Sequence, residues 1–89
     1  MSDIKNGMRG EVAWFAQEME GQLQENDDKN GWEVMSAKWL LNRLKQEVGE
    51  LKRAIEKKTN VVEEAADVAN FAMMIADNFA HPTAGTPED

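Results

Sequence analysis

The amino-acid sequence predicts an all-α fold: a three-helix antiparallel protomer, with a hairpin of two long helices plus an N-terminal helix, that forms an oligomeric helical bundle. Two segments carry apolar residues at spacings of three and four, as amphipathic helices do, and a third is apolar on almost every side. The chain has 89 residues and no cysteine. A domain this small buries little apolar surface and here has no disulfide, so we expect a partner subunit or a bound ion to stabilise it.

The helical domain is expected over 10–80, between a flexible N-terminal arm at 1–9 and a disordered acidic tail at 81–89. The arm is polar and contains Gly7, which disfavours an early helix. The tail consists of small, polar and acidic residues that cannot bury enough apolar surface to order the chain.

The first helix is expected from Gly10 to about Gln24. Its apolar face is formed by residues at helical spacing, namely Val12, Phe15, Ala16, Met19 and Leu23. Asn, Asp and Gly are concentrated over 25–31, a composition that is typical of a turn.

The second helix is expected to begin with Asn30 as N-cap and Glu33 at the third helical position, and to end at about Lys57. The apolar stripe expected to face the core comprises Leu40, Leu44, Val48, Leu51 and Ile55.

The third helix is expected from Val61 to about Ala80, with Asn60 as N-cap and Glu63 in the capping position that follows. Pro82 disfavours helix in the residue before it. Because the third helix is apolar nearly all the way round, two companion helices cannot cover it. We therefore expect it to lie at the centre of a homodimer or a homotetramer.

Two pairs of acids stand three residues apart on the two long helices, Glu47 with Glu50 and Glu64 with Asp67. Residues at this spacing share a helix face, so a hairpin brings the pairs together as four carboxylates. Such a cluster suits Mg²⁺, which prefers oxygen ligands. The alternative is that they are ordinary solvated acids. Both pairs border the apolar stripes, and this position favours a shared groove.

These residues resemble a known family. Glu47-x-x-Glu50, thirteen residues and then Glu64-x-x-Asp67 is similar to the ExxE…ExxD signature of the MazG-like, all-α nucleoside triphosphate pyrophosphohydrolases. The segment from Met19 to Trp32 resembles the lead-in of the phage-type members, and the likeness continues through 66–71, so that it covers roughly residues 12–80.

The resemblance implies hydrolysis of nucleoside or deoxynucleoside triphosphates to the monophosphate and pyrophosphate, with Mg²⁺, or Mn²⁺, as cofactor. It implies that the metal ligands are the four acids Glu47, Glu50, Glu64 and Asp67. One carboxylate would then activate the attacking water, and Glu47 and Glu50 are the two candidates for this catalytic role. The alternative function is a non-catalytic helical module of the same fold that binds a nucleotide or another protein.

Four further residues are candidate substrate-binding residues, each with a plainer interpretation. The resemblance suggests that Lys29 reaches the phosphates and Trp32 contacts the base, whereas a solvated connector and a packed indole are the plainer roles. Arg43 could bind phosphate or form an ion pair with Glu47 four residues on. Asn70 could bind a sugar or base, or bridge two helices.

The net charge of −7 argues against nucleic acid or an anionic membrane surface as a partner, because both require a basic surface. The most apolar run, 65–76, is interrupted by Asp67 and Asn70 and falls short of the roughly 20 residues that span a bilayer. We therefore expect a cytoplasmic protein, in the host cytoplasm if the gene is phage-encoded.

Overall fold

The computed structural model describes residues 4–5, 7–25 and 31–82. The predictions for Lys29, for Asn30 as an N-cap and for the tail at 83–89 lie outside these residues. The described chain contains a short hairpin of β1 (Ile4–Lys5) and β2 (Met8–Arg9), followed by α1 (Gly10–Gln24), a 3₁₀-helix (Trp32–Val34), α2 (Ala37–Lys57) and α3 (Val61–Ala80). The prediction of an all-helical chain with three helices is confirmed, apart from the two-residue strands.

The N-terminal hairpin lies within the segment expected to be a flexible arm. Its strands are antiparallel, with Ile4 opposite Arg9 and Lys5 opposite Met8. Gly7 adopts a φ of 81° between them, a conformation that glycine adopts without steric cost. The chain passes directly from this hairpin into α1 at Gly10.

Helix α1 has the predicted bounds, but its apolar face is only partly covered. Phe15, Met19 and Leu23 are half-buried, whereas Val12 and Ala16 are exposed. Contact with α3 therefore covers one side of the predicted stripe and leaves its other side open.

The start of the second helix differs from the prediction, which placed it near Asn30. A single 3₁₀ turn at Trp32–Val34 comes first, Met35 is extended, and the α-helix begins after Ser36. The Ser36 hydroxyl oxygen accepts a hydrogen bond of 3.0 Å from the backbone N–H of Trp39, which is an N-cap interaction. At this break the Nδ2 group of Asn78 on α3 donates to the backbone oxygens of Trp32 and Met35, at 3.0 and 3.5 Å, and so holds the segment against α3.

Helices α2 and α3 are joined by a tight turn at Lys58, Thr59 and Asn60. Lys58 is left-handed (φ 59°), and the N–H groups of Lys58 and Thr59 bond back to Ile55 and Ala54, which is a Schellman motif. Asn60 is also left-handed (φ 58°), and its side chain makes no cap hydrogen bond. Asn60 is the N-cap residue of α3, as predicted, but the side-chain hydrogen bond expected of it is absent. Asparagine suits this position because it tolerates a positive φ. Helix α3 has the predicted bounds.

The long helices form the main body of the protein, and α1 packs on α3 beside them. Within the described ranges, the buried apolar residues are Leu40, Ala54 and Ala66. Two polar side chains of α3, Asn70 and Asn78, are buried with them. The core of one protomer is therefore small, as the length of the chain implies.

Several apolar side chains that were predicted to be buried remain exposed in the protomer. Val48 and Ile55 of α2 are 49% and 56% exposed, and Phe79 near the end of α3 is 73% exposed. Leu41, which precedes Val48 by seven residues, is open as well. None of the described helices combines the length and apolarity that a membrane span requires.

Candidate metal-binding site and cleft

Three of the four predicted acids meet where α2 and α3 face each other. Glu47 comes from α2, and Glu64 and Asp67 come from α3. One carboxylate oxygen of each lies within 4.8 Å of the others, and all three side chains are half-buried. The antiparallel hairpin and the three-residue spacing on α3 bring these groups together, as the sequence predicted.

The close approach of three carboxylates disfavours their charged forms. Partial burial, together with the charges of Glu47 and Glu64, raises the pKa of Asp67 to about 6, from the usual 3.8. The pKa of Glu64 is also raised, first by desolvation and then by the charges of Glu47 and Glu50. These carboxylates therefore repel one another in the folded protomer.

Glu50 does not join the three-acid cluster formed by Glu47, Glu64 and Asp67. Its carboxylate forms a 2.8 Å ion pair with Arg53, three residues on, and about half of its side chain is exposed. Glu50 still lies close enough to the cluster to raise the pKa of Glu64. The predicted group of four is thus a compact group of three with Glu50 beside it.

Arg43 lies next to the cluster and contacts both long helices. Its guanidinium is 3.2 Å from a carboxylate oxygen of Glu47, which is the predicted ion pair at a spacing of four residues. It also lies 5.0 Å from the centre of the Phe71 ring on α3, within range of a cation–π interaction. Its positive charge lowers the pKa of Asp67, against the larger effects that raise it.

A cleft of about 890 Å³ opens beside the cluster. Such a volume is typical of small-molecule sites in proteins. Residues of α1, the 3₁₀ turn and the two long helices line it: Gln22, Leu23, Gly31, Trp32, Met35, Trp39, Leu40, Arg43, Glu47, Asp67, Asn70, Phe71 and Met74. The cleft therefore has acids at one part of its wall and aromatic and apolar side chains elsewhere.

Trp32 lines the cleft, but it is held by a packing interaction. Its indole N–H donates a 3.0 Å hydrogen bond to the carboxylate of Asp77 on α3. Hydrogen bonds from Trp32 and from His81 lower the pKa of Asp77. The contact favours the plainer interpretation of Trp32, as a side chain that fixes the 3₁₀ turn against α3.

Trp39 is a cleft residue that the sequence analysis did not identify. It is 47% exposed and lies in the first turn of α2. The available signal was its spacing, because Trp39, Arg43 and Glu47 are four residues apart and therefore form a row along one side of the helix.

Asn70 lines the cleft and also bridges two helices. Its side chain is 3% exposed, and its Nδ2 group donates a 3.0 Å hydrogen bond to the backbone oxygen of Met19 on α1. Its Oδ1 atom is buried and has no hydrogen-bond partner among the residues that the structure describes. The bridging role is therefore filled by one half of the amide, and the other half is left for a ligand or water.

The three-acid cluster fits a hard divalent cation. Its donors are all carboxylate oxygens, the ligands that Mg²⁺ prefers, and they come from two rigid helices. A divalent ion would also remove the repulsion that raises the pKa of Asp67. Glu47, Glu64 and Asp67 are the residues that would hold it.

Comparisons of this chain with models of protein families, with curated proteins and with solved structures found no match. The family resemblance therefore rests on the sequence motif alone.

Proposed function

We propose that this protein is a Mg²⁺-dependent hydrolase of nucleoside or deoxynucleoside triphosphates that releases the monophosphate and pyrophosphate. The observation that supports this most is the three-acid cluster of Glu47, Glu64 and Asp67 at the wall of a ligand-sized cleft. The resemblance of the motif that contains these acids to the MazG-like family also supports it. An enzyme of this kind acts on nucleotide pools and so would be cytoplasmic.

The protein's own groups have distinct roles in this proposal. Glu47, Glu64 and Asp67 hold the metal, and Arg43 beside them provides positive charge for a phosphate. Mg²⁺ held by Glu47, Glu64 and Asp67 would supply positive charge that stabilises the negative charge developing on the phosphates.

These products require cleavage between the α- and β-phosphates, and we propose that water attacks the α-phosphorus. The oxygen of a water molecule attacks the α-phosphorus, the bond from that phosphorus to the oxygen bridging the β-phosphate breaks, and pyrophosphate leaves with the electron pair. Glu47 or Glu50 accepts the proton of the water. Glu50 suits this role because it lies beside the cluster and outside it, and its ion pair with Arg53 is exposed to solvent.

The position of Glu50 also favours a second candidate function, a helical module that binds a nucleotide without hydrolysing it. If Glu50 stays paired with Arg53 and Glu47 is occupied as a metal ligand, no carboxylate of this pair is left to accept the proton of the water. Such a protein would bind a nucleotide with Mg²⁺ and form no product.

The decisive experiment measures pyrophosphate release from a panel of ribonucleoside and deoxyribonucleoside triphosphates with Mg²⁺. We expect the wild type to turn over the substrate and Asp67→Asn to be inactive. Glu56→Gln is the control and should stay active, because it removes one exposed negative charge from α2 away from the cluster. Glu50→Gln separates the roles: lost turnover with retained Mg²⁺ binding assigns proton transfer to Glu50. Saturable nucleotide binding without any product would select the second function.

We also propose that the protein forms a homodimer or homotetramer through one face of its hairpin. Leu41, Val48 and Ile55 stand seven residues apart on α2 and are 43–56% exposed. Leu41 shares a shallow apolar pocket with Ile75 of α3, so the face extends across both helices. Seven-residue apolar spacing is the pattern by which helices pack against other helices.

Sedimentation velocity tests the assembly. We expect Val48→Glu to shift the protein to monomer, because assembly would then bury a charge in the interface between protomers. Asn42→Glu is the control: Asn42 lies on another side of α2, so this change should leave the assembly intact. A wild-type protein that is monomeric at micromolar concentration would exclude this interface.

A further inference from the structure

We infer that the cleft binds the nucleoside part of the ligand in a defined way, with the base stacked on Trp39 and one nucleoside hydrogen-bond donor paired with Asn70 Oδ1. The inference rests on the proposed function, because it takes the three-acid cluster as the place where the phosphates are anchored. It adds a base platform and a polar contact that the acidic motif does not specify.

The order of side chains along α2 matches the order of groups in a nucleotide. Trp39, Arg43 and Glu47 are four residues apart and all line the cleft. Eight residues of α-helix span about 12 Å, so the indole lies some two turns from the metal cluster, with the guanidinium of Arg43 between them. A ligand with phosphates at one end and a flat ring at the other can occupy this row.

Trp39 offers a surface for stacking. About half of its side chain is exposed, and the hydrogen bond from its backbone N–H to Ser36 anchors the helix turn that carries it. Stacking on an indole suits every nucleobase, because each base has a flat π-face. Trp32 is less suitable, since its indole is held by Asp77.

Asn70 provides an acceptor of fixed orientation. The bond from Nδ2 to the Met19 carbonyl sets which end of the amide is oxygen, because the flipped amide would place two acceptors together. Oδ1 is therefore a buried, unpaired acceptor on a residue of the cleft wall, and an unpaired group of this kind is destabilising. A ligand O–H or N–H would satisfy it.

The donor could be a sugar hydroxyl or a base N–H, and these two sources are chemically equivalent for Oδ1. Asn70 follows Asp67 by one turn of α3, a rise of about 4.5 Å. In a nucleotide the sugar lies nearer the phosphates than the base edge does, so the sugar hydroxyl is the expected source.

The test measures binding of non-hydrolysable triphosphates by calorimetry with Mg²⁺ present, so that its result does not depend on turnover. The probes are an α,β-imido deoxynucleoside triphosphate, its 3′-deoxy form, the same analogue with each other base, and inorganic tripolyphosphate. We expect Trp39→Leu to lower the affinity for the nucleotide analogue about tenfold and to leave the affinity for tripolyphosphate unchanged. Trp14→Leu is the matched control, since Trp14 is similarly exposed but does not line the cleft.

Asn70 is tested through the ligand, because Asn70→Leu also removes the bond to α1. Loss of the 3′-hydroxyl should weaken binding of the analogue about tenfold in the wild type and not in Asn70→Leu. The control Trp14→Leu should keep the tenfold difference. If changing the base lowers the affinity in the wild type but not in Asn70→Leu, and removing the sugar hydroxyl has no such effect, the donor is on the base. If neither does, the Asn70 contact is wrong.

The inference and the proposed function fail separately. Equal losses of nucleotide and tripolyphosphate affinity in Trp39→Leu would overturn the base platform even if the wild type releases pyrophosphate. A selective loss of nucleotide affinity in a protein that releases no pyrophosphate would support the nucleoside site and reject hydrolysis.

Discussion

Replacing Asp67 by Asn should stabilise the metal-free protein and abolish its stabilisation by Mg²⁺. In the folded protein the pKa of Asp67 is about 6, compared with 3.8 when the group is free of its surroundings. At pH 8 the carboxylate is charged in both states, so the folded state bears the cost of burial and of repulsion by Glu47 and Glu64. An amide removes that cost.

The size of the effect follows from the pKa. A change from 3.8 to about 6 corresponds to about 3 kcal/mol at most. Because Asp67 is only partly buried and solvent screens its neighbours, we expect about 1–2 kcal/mol of added stability. For a domain of this size, each kcal/mol raises Tm by about 4–8 °C.

The pH dependence has a definite sign. Between about pH 4 and pH 6 the folded state holds the Asp67 proton more tightly than the unfolded state does, so the free energy of unfolding falls as pH rises through this window. The wild type should therefore lose stability from pH 4 to pH 6, and Asp67→Asn should lose less. Binding of Mg²⁺ by the wild type should strengthen over the same range, because the ligand must be deprotonated.

Thermal unfolding of the two proteins, followed by circular dichroism with and without Mg²⁺, measures these effects. Mg²⁺ at 100 times its Kd should add about 2.7 kcal/mol to the wild type and nothing to Asp67→Asn. Glu56→Gln controls for the loss of one negative charge from a protein of net charge −7. The reasoning is refuted if Asp67→Asn is less stable than the wild type at pH 8, or if Mg²⁺ stabilises both equally.

Three further predictions concern the framework that holds the site. Leu40→Ala should lower the free energy of unfolding by about 2–5 kcal/mol in urea titration, since Leu40 is 1% exposed. In a monomeric protein, an equal loss in Leu41→Ala would contradict this prediction, because Leu41 is exposed. Ser36→Ala should lower the free energy of unfolding by about 1 kcal/mol, because the N-cap acceptor for the Trp39 N–H is lost. Backbone amides in the first turn of α2 should then exchange faster with solvent, and unchanged hydrogen-exchange protection would exclude the cap. Lys58→Gly should raise Tm, because a left-handed residue costs about 1 kcal/mol unless it is glycine, and a fall in Tm would count against that conformation.

The long helices could be predicted from the sequence because their determinants are local. Apolar spacing located α1, the continuous apolar character of 61–80 located α3, and Pro82 located the end of α3. The start of α2 also had a local signal, the N-cap residue Ser36, but Asn30 was predicted in its place. The segment before Ser36 is held by contacts more than forty residues away in sequence, from Asn78 to the backbone oxygens of Trp32 and Met35 and from the Trp32 indole to Asp77.

The site was partly predictable for the same reason. Spacing on single helices located Glu47, Glu64 and Asp67, and a hairpin was enough to bring them together. The spacing of Glu50 and Arg53 permits an ion pair on one helix, but spacing alone does not decide whether Glu50 pairs with Arg53 or joins the cluster. Nor could it show that one half of the Asn70 amide would be used by α1 and the other half left open.

The tight turn at 58–60 has a consequence for how this protein can evolve. With two left-handed residues in a three-residue connection, the chain has no slack with which to absorb a change of length between α2 and α3. One residue inserted in α3 ahead of Glu64 would rotate Glu64 and Asp67 by about 100° relative to Glu47 and separate the acids. Insertions and deletions between Glu47 and Asp67 should therefore be eliminated by selection in descendants of this sequence.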